Sequence, residues 1–211
     1  MVRIAASAPL APARSSPAIA ACLIVTFLLG LVVARERSGG MLDQSIMNQI
    51  QESTADQDGL LRLLVLPTEP FVLLALIAAL ALAALLGANT NALVLALGGP
   101  AFAVALNTWL LKPAFGRYYD DHLAYPSGHA VSLVAVLTVL AVLARPGLAT
   151  RLVVGIAVAL TAGAGVGMTG LGYHYPTDVL GAATFAVAVV LALAAGLDRR
   201  TRTTNRQGSA R

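Results

Sequence analysis

Six apolar runs divide this chain, at residues 18–34, 71–86, 93–111, 130–144, 152–171 and 179–197, each close to the roughly 20 residues that a helix needs to cross a bilayer. Backbone polar groups cannot stay unpaired in lipid, so runs of this length are predicted to be α-helices. The expected fold class is an all-α membrane protein, a six-transmembrane-helix bundle forming one domain. The proportions exclude a soluble fold: 58% of the residues are hydrophobic and 11% charged, against roughly a quarter charged in soluble domains.

Stop signals separate the runs. Gly87-Ala88-Asn89-Thr90-Asn91 follows the second, Arg145-Pro146-Gly147 follows the fourth, and Tyr175-Pro176 precedes the sixth, all residues that break or cap helices. Short connections of this kind imply antiparallel neighbours. Gly155, Gly163, Gly165, Gly167 and Gly170 stud the fifth run, as small residues do where helices pack closely in lipid.

Orientation is read from the short loops. Arg3 and Arg14 precede the first run, Arg145 and Arg151 lie between the fourth and fifth, and Arg199, Arg200, Arg202, Arg206 and Arg211 follow the sixth. The positive-inside rule makes these segments cytoplasmic. Residues 1–17 are then a cytoplasmic N-terminal tail, 18–197 the membrane domain, 35–70 an extracytoplasmic loop, and 198–211 a disordered cytoplasmic tail. A cleaved leader is the competing account of the first run. Its removal would put the termini on opposite sides. Within the loop, Leu42, Ile46 and Ile50 recur among Asp43, Gln44, Gln49 and Gln51, the pattern of a short amphipathic helix resting on the outer leaflet.

Of fourteen basic residues only Lys112 is a lysine, and their placement marks orientation rather than a nucleic-acid stripe. The expected partner is the bilayer, with no nucleic acid. Cys22 is the single cysteine, which rules out an intramolecular disulfide and a thiolate metal site. Oligomeric state has no signal in the sequence.

The reactive side chains gather in three segments that this topology places on the outer side. Lys112, Arg117, Asp120, Asp121, His122, His129, His174 and Asp178 are there, with Tyr118, Tyr119, Tyr125, Tyr173 and Tyr175. An aromatic belt would populate both interfaces, so one-sided clustering points to a site at the extracytoplasmic face. His122, flanked by acids on a loop, reads as a solvated side chain. No ionisable residue lies at mid-depth in the runs, which argues against an ion path. Asn107 and Thr161 read as interhelical hydrogen-bonding groups.

Two elements carry chemistry. Pro126-Ser127-Gly128-His129 stands immediately before an apolar run, where a helix start presents free N–H groups and a favourable dipole to an anion. Alone, such a turn is a common helix cap. His174 is followed four residues later by Asp178; the carboxylate can hold one ring nitrogen and leave the other neutral and nucleophilic. Alone, that spacing also serves packing or capping. At one membrane face the two elements read together as an anion cradle beside a nucleophile. Too few carboxylates converge for a two-metal centre. No metal or cofactor is expected, and the charge of a bound anion falls to cations and N–H donors.

These elements resemble the second and third signature motifs of the phosphatidic acid phosphatase type 2 (PAP2) superfamily, in the same order and separation, across about residues 71–197. The resemblance implies a six-helix fold and metal-independent hydrolysis of a phosphate ester through a phosphohistidine. By it, His174 is the nucleophile, Asp178 its orienting partner, and His129 the acid that protonates the leaving oxygen. Ser127 and the Gly128 N–H would bind phosphate oxygens. The sequence departs from the family at two arginines. The first motif's count from Lys112 lands on Tyr119-Asp120, and the third motif's arginine, six residues before the histidine, is Met168.

Lys112 and Arg117 remain as positive charges for the phosphate, with Tyr119 as a hydrogen-bond donor. The expected activity is hydrolysis of a lipid phosphate or diphosphate of the prenyl diphosphate, phosphatidate or phosphatidylglycerophosphate class at a bacterial inner membrane. The alternative is a weak or inactive relative that binds such a lipid or supports a partner membrane protein.

Overall fold

A computed structural model of the chain describes residue 10 and residues 15–209. Its helices are α1 (Ser15–Val33), α2 (Met41–Ser53), α3 (Asp58–Val65), α4 (Pro70–Leu86), α5 (Thr90–Leu106), α6 (Lys112–Phe115), α7 (Gly128–Leu143), α8 (Leu148–Gly170) and α9 (Pro176–Ser209). A two-stranded hairpin, β1 (Tyr118–Tyr119) and β2 (His122–Leu123), pairs Tyr118 with Leu123 and Tyr119 with His122.

Local chemistry explains the breaks. Pro70 opens α4 behind the extended Glu69, and Gly87 closes it. Asn89 caps α5, its side-chain oxygen accepting from the Ala92 N–H at 3.0 Å. Gly147, at φ 108°, turns the chain from α7 into α8, and Gly172, at φ 70°, turns it from α8 toward α9; both backbones lie where a side chain is disfavoured. A π-helical turn at Asn107–Leu111 joins α5 to α6.

Among the described residues five helical stretches are long and apolar enough to cross a membrane: Ser15–Val33, Asp58–Leu86, Thr90–Phe115, Leu148–Gly170 and Pro176–Thr204. They match the first, second, third, fifth and sixth apolar runs. The fourth run forms α7, 16 residues long, about 24 Å at 1.5 Å per residue and short of the roughly 30 Å hydrocarbon core. It is instead deeply enclosed: Val131, Leu133, Ala135 and Val139 have at most 1% exposure. α7 packs on α5, α8 and α9, and α9 packs along α1.

The two ends of the bundle are distinct. The Leu10 N–H donates to Asp198 Oδ1 at 2.9 Å, and Asn91 Nδ2 donates to Thr201 Oγ1 at 2.9 Å. The stretch before α1, the start of α5 and the far part of α9 therefore share one end. His174 precedes the opposite tip of α9, about 33 Å away along a helix of 1.5 Å rise.

Two expectations need correction. Residues 198–209, read as disordered, continue α9 through Ser209. No proline interrupts them and arginine is a good helix former, so a helix already nucleated in the bundle propagates. Residues 210 and 211 and most of the expected N-terminal tail lie outside the described residues. The segment 35–70 holds two helices where one was expected. α2 is present, but it is its Asp43 that is buried, at 3% exposure, while Leu42 is exposed. The second is α3, which continues through a 3₁₀ turn into α4 and lays Leu61 and Val65 on α8.

That contact explains the glycines of α8. A Cβ on Gly167 would lie 2.7 Å from Val65 Cγ2 and 2.8 Å from the Leu61 carbonyl oxygen, whereas one on Gly155 would meet nothing within 4 Å. A backbone oxygen cannot rotate aside, so Gly167→Ala is expected to push α3 off α8 at a cost of about 1–3 kcal/mol. The check is thermal unfolding of the purified protein. Tm should fall by several degrees for Gly167→Ala and hold or rise for Gly155→Ala.

Between α7, α8 and α9 runs an apolar groove of about 740 Å³, lined by side chains such as Leu137, Val158, Val166, Leu180 and Val187, with Ile46 and Ile50 of α2 at its wall. Thr169 and Pro176, which also line it, bring it to the turn that carries His174.

Candidate active site

Tyr175 stands just outside α9 and Pro176 is its first residue, so Asp178 occupies the third helical position. From there its Oδ2 accepts the Tyr175 N–H at 3.0 Å, the reach-back half of a capping box. The cap fixes the carboxylate beside His174. Asp178 Oδ2 lies 3.6 Å from His174 Nδ1, too long for a hydrogen bond, and His174 Nδ1 has no hydrogen-bond partner. His174 is 4% exposed. Burial pushes its imidazole below the usual histidine range, Asp178 pulling the other way and the charge of Lys112 adding to the fall. Burial thus favours the uncharged imidazole, the form in which a ring nitrogen has a free lone pair.

His129 faces it from the second position of α7. The two ring centroids are 6.2 Å apart with planes inclined at 66°, edge to face rather than parallel. At the head of α7, Ser127 Oγ accepts from the Ala130 N–H at 3.4 Å. The N–H groups of Gly128 and His129 precede any intrahelical acceptor. A Cβ on Gly128 would meet nothing within 4 Å, so the backbone is uncrowded on that side of the residue. Asn107 stays at the π-helical turn and steadies the approach to α7, its Nδ2 donating to the Pro126 carbonyl at 3.2 Å.

The residues expected to grip phosphate are arranged unevenly. Met168, where an arginine was looked for, is fully buried with its Sδ 3.8 Å from Ser127 Oγ, so an uncharged thioether borders the cradle. Lys112 Nζ donates to the Leu123 carbonyl. Its charge is nonetheless felt at His174. Tyr119 lies in the hairpin with its ring 4.8 Å from that of Tyr175. Burial, with Tyr175 and Asp120 nearby, raises its phenol above the ordinary value, which keeps it a donor.

Arg117 is turned away from the cradle. It has no exposed surface; Nη1 donates to Asp178 Oδ1 and to Thr177 Oγ1, each at 2.7 Å, and Nη2 donates to Asp43 Oδ2 at 2.5 Å. Glu36 Oε2 lies 3.1 Å from Nη2, and the guanidinium covers the Tyr175 ring at 4.6 Å. Burial opposes its charge, and Asp178 and Asp43 more than offset that. The sequence reading assigned this charge to phosphate; in the structure carboxylates already hold it.

Asp43, Glu36 and Thr177 were not anticipated: Asp43 and Glu36 come from a segment without a motif, and Thr177 stands between the two motif residues His174 and Asp178 with no role assigned by them. His122, read as solvated, is half exposed but stands 6.0 Å from the His174 ring, nearly perpendicular to it. Tyr125 is structural: it is fully buried, its hydroxyl donates to the Thr26 carbonyl, and its ring packs edge-on against Phe115. Among the described residues no group of three or more His, Cys, Asp or Glu could hold a metal ion.

The sequence model of the PAP2 superfamily matches residues 71–202. The chain belongs to the PAP2 superfamily. The match spans α4 through the membrane part of α9 and so includes every residue of the cradle. A solved structure described as the first transmembrane PAP2 type phosphatidylglycerolphosphate phosphatase, from Bacillus subtilis, superposes with a TM-score of 0.68 at 20% identity, covering 86% of this chain and 96% of the other. At that identity the likeness speaks for the PAP2 fold. Among curated proteins, none matches.

Proposed function

We propose that this PAP2 protein hydrolyses a lipid phosphate or diphosphate through a phosphohistidine. The observation that carries the reading is the pairing of the two rings: His174, with Asp178 at one nitrogen, stands 6.2 Å from His129 at the head of α7. In the first step His174 Nε2 forms a bond to phosphorus as the bond to the leaving lipid oxygen breaks, and that oxygen takes a proton from His129. In the second, His129 accepts a proton from water, whose oxygen attacks phosphorus and releases His174 and inorganic phosphate. Both steps are ordinary nucleophilic and acid–base catalysis. The Gly128 and His129 N–H groups, Ser127 and Lys112 take the phosphoryl charge, with Tyr119 at the rim.

The apolar groove supports a lipid substrate, since it offers a hydrocarbon chain a path between helices to the turn holding His174. The arginine pattern of the loops and tail supports a site on the outer face of a bacterial inner membrane with both termini cytoplasmic. Purified protein in detergent or vesicles is expected to release phosphate from at least one of prenyl diphosphate, phosphatidate and phosphatidylglycerophosphate. EDTA should leave the rate unchanged. A rate that EDTA removes and divalent metal restores would overturn the mechanism.

A second reading has its own support. Met168 at the cradle and Arg117 locked among carboxylates leave the phosphate with few cations, which suits a protein that binds a lipid phosphate without turning it over. Binding to these lipids with no phosphate release from any of them would favour it.

A further inference from the structure

Asp178 is a carboxylate with no exposed surface, and the group whose contact balances it is Arg117. An isolated buried carboxylate takes up a proton rather than remain charged. A protonated Asp178 could no longer stabilise a positive charge on His174 when its other nitrogen bonds phosphorus. Arg117 is held in turn from two further directions. Asp43 of α2 accepts from Nη2, and it also accepts from the Thr177 N–H at 3.1 Å and from the Thr177 hydroxyl at 2.7 Å. Thr177 thus bridges Arg117 and Asp43 within a closed ring of hydrogen bonds.

We propose that Arg117 is a positioning residue for the nucleophile: it keeps the buried Asp178 ionised with Oδ2 turned toward His174, and Asp43 of α2 holds the guanidinium in that place. The inference rests on the phosphatase reading for its effect on rate, but its physical content is the charge state of Asp178. Arg117 spends Nη1 on Oδ1 and the α9 cap spends the Tyr175 N–H on Oδ2, so the carboxylate cannot rotate and its second oxygen stays on the His174 side. The other charged or titratable groups around it are Lys112 from α6, His174 itself, Glu36 beyond Arg117, and Tyr125, whose phenol burial raises far above its usual value. Of these only Arg117 and His174 lie within ion-pair distance of Asp178, and burial disfavours a charge on His174.

The arrangement also links α2 to the chemistry. The helix that presents Asp43 to Arg117 presents Ile46 and Ile50 to the groove. The contact that holds Arg117 is therefore carried by the same short helix that contributes Ile46 and Ile50 to the groove wall.

The test pairs kinetics with infrared spectroscopy of the purified protein at neutral pH, using Arg117→Gln, Arg117→Lys and Asp43→Asn, with Asp178→Asn to assign the carboxyl band. In Arg117→Gln a protonated-carboxyl band is expected that is absent from the wild type and lost again when Asp178→Asn is added. kcat should fall about 10–100-fold, the range for an outer partner that orients a reacting group, with KM little changed. Arg117→Lys keeps the cation, so it should show no band and recover much of kcat. Asp43→Asn should lower kcat several-fold and speed hydrogen exchange in α2. A folded Arg117→Gln with no such band would overturn the proposal, as would Lys and Gln variants equally impaired. If Arg117→Gln does not fold, an Asp43→Asn variant with unchanged kcat and unchanged α2 exchange overturns it. A wild type without turnover on any lipid phosphate defeats the phosphatase reading alone, and the infrared band still decides the role of Arg117.

Discussion

Replacing His174 with alanine is expected to lower phosphate release by roughly four orders of magnitude or more, the scale on which removal of an attacking side chain acts when no other group can take its place. The neighbours make substitution by another nucleophile implausible on chemical grounds. His129 projects from the first turn of α7 and is needed as the proton donor, His122 is half exposed at the rim, and Lys112 is engaged with the Leu123 carbonyl. Lipid binding should survive, because the groove and the α7 donors do not depend on the imidazole. Rapid quenching of the wild type with a labelled substrate should trap label on protein, acid-labile and alkali-stable as a phosphoramidate is, and the alanine variant should trap none. Turnover at the wild-type rate in His174→Ala would end the phosphohistidine reading.

Met168→Arg has the second large effect, in the opposite direction. Its Sδ lies against the Ser127 hydroxyl, so a guanidinium placed there would face the anion bound at the head of α7. One preorganised donor to a developing oxyanion contributes about 2.7–4 kcal/mol, or roughly 10²–10³ in rate, and a bidentate arginine is well matched to phosphate. A sharp rise in kcat is expected if the cradle is a phosphatase site that lost a clamp. The substitution also buries a charge where the wild type has an apolar side chain, so the empty variant should melt at a lower temperature than the wild type. Vanadate or inorganic phosphate should restore the loss, since a ligand bound only to the folded state stabilises by mass action. A folded Met168→Arg with no gain on any lipid phosphate would mean that the site is shaped for another anion or for binding alone.

Those two outcomes bear on different halves of the argument. His174 tests whether covalent chemistry occurs, and Met168 tests why its rate is what it is. The Arg117 series separates both from the upkeep of Asp178.

What was legible beforehand follows from the range of each interaction. Apolar runs report an apolar surrounding, and the six runs reappear as helices, α1, α4, α5 with α6, α7, α8 and α9; five of these stretches are long enough to cross a membrane, while α7 is short and enclosed by its neighbours, a difference that composition does not mark. The head of α7 and the tip of α9 were legible for a similar reason: a cap and a helix start are set by four or five consecutive residues, so Ser127-Gly128-His129 and His174 with Asp178 carry their local geometry wherever the helices go. That the two histidines would stand 6.2 Å apart required only that α7 and α9 be neighbours with both heads at one end.

The partner of a buried charge is a different kind of fact. Arg117 reads as a cation near a phosphate because its carboxylate partners are not its sequence neighbours; they lie 61 and 74 positions away at Asp178 and Asp43. Desolvation drives that pairing, and desolvation is known only once α2 has folded down on the mouth of the bundle. The same holds for α3 against the glycines of α8 and for the groove between α7, α8 and α9. Local composition determined the apolar helices and the turns at the head of α7 and the tip of α9, because those depend on bonded neighbours and on the lipid; it determined neither α3 nor the far part of α9. Tertiary packing alone decided which charges pair with one another and where the apolar groove lies, because burial and cavity shape are properties of the assembled bundle.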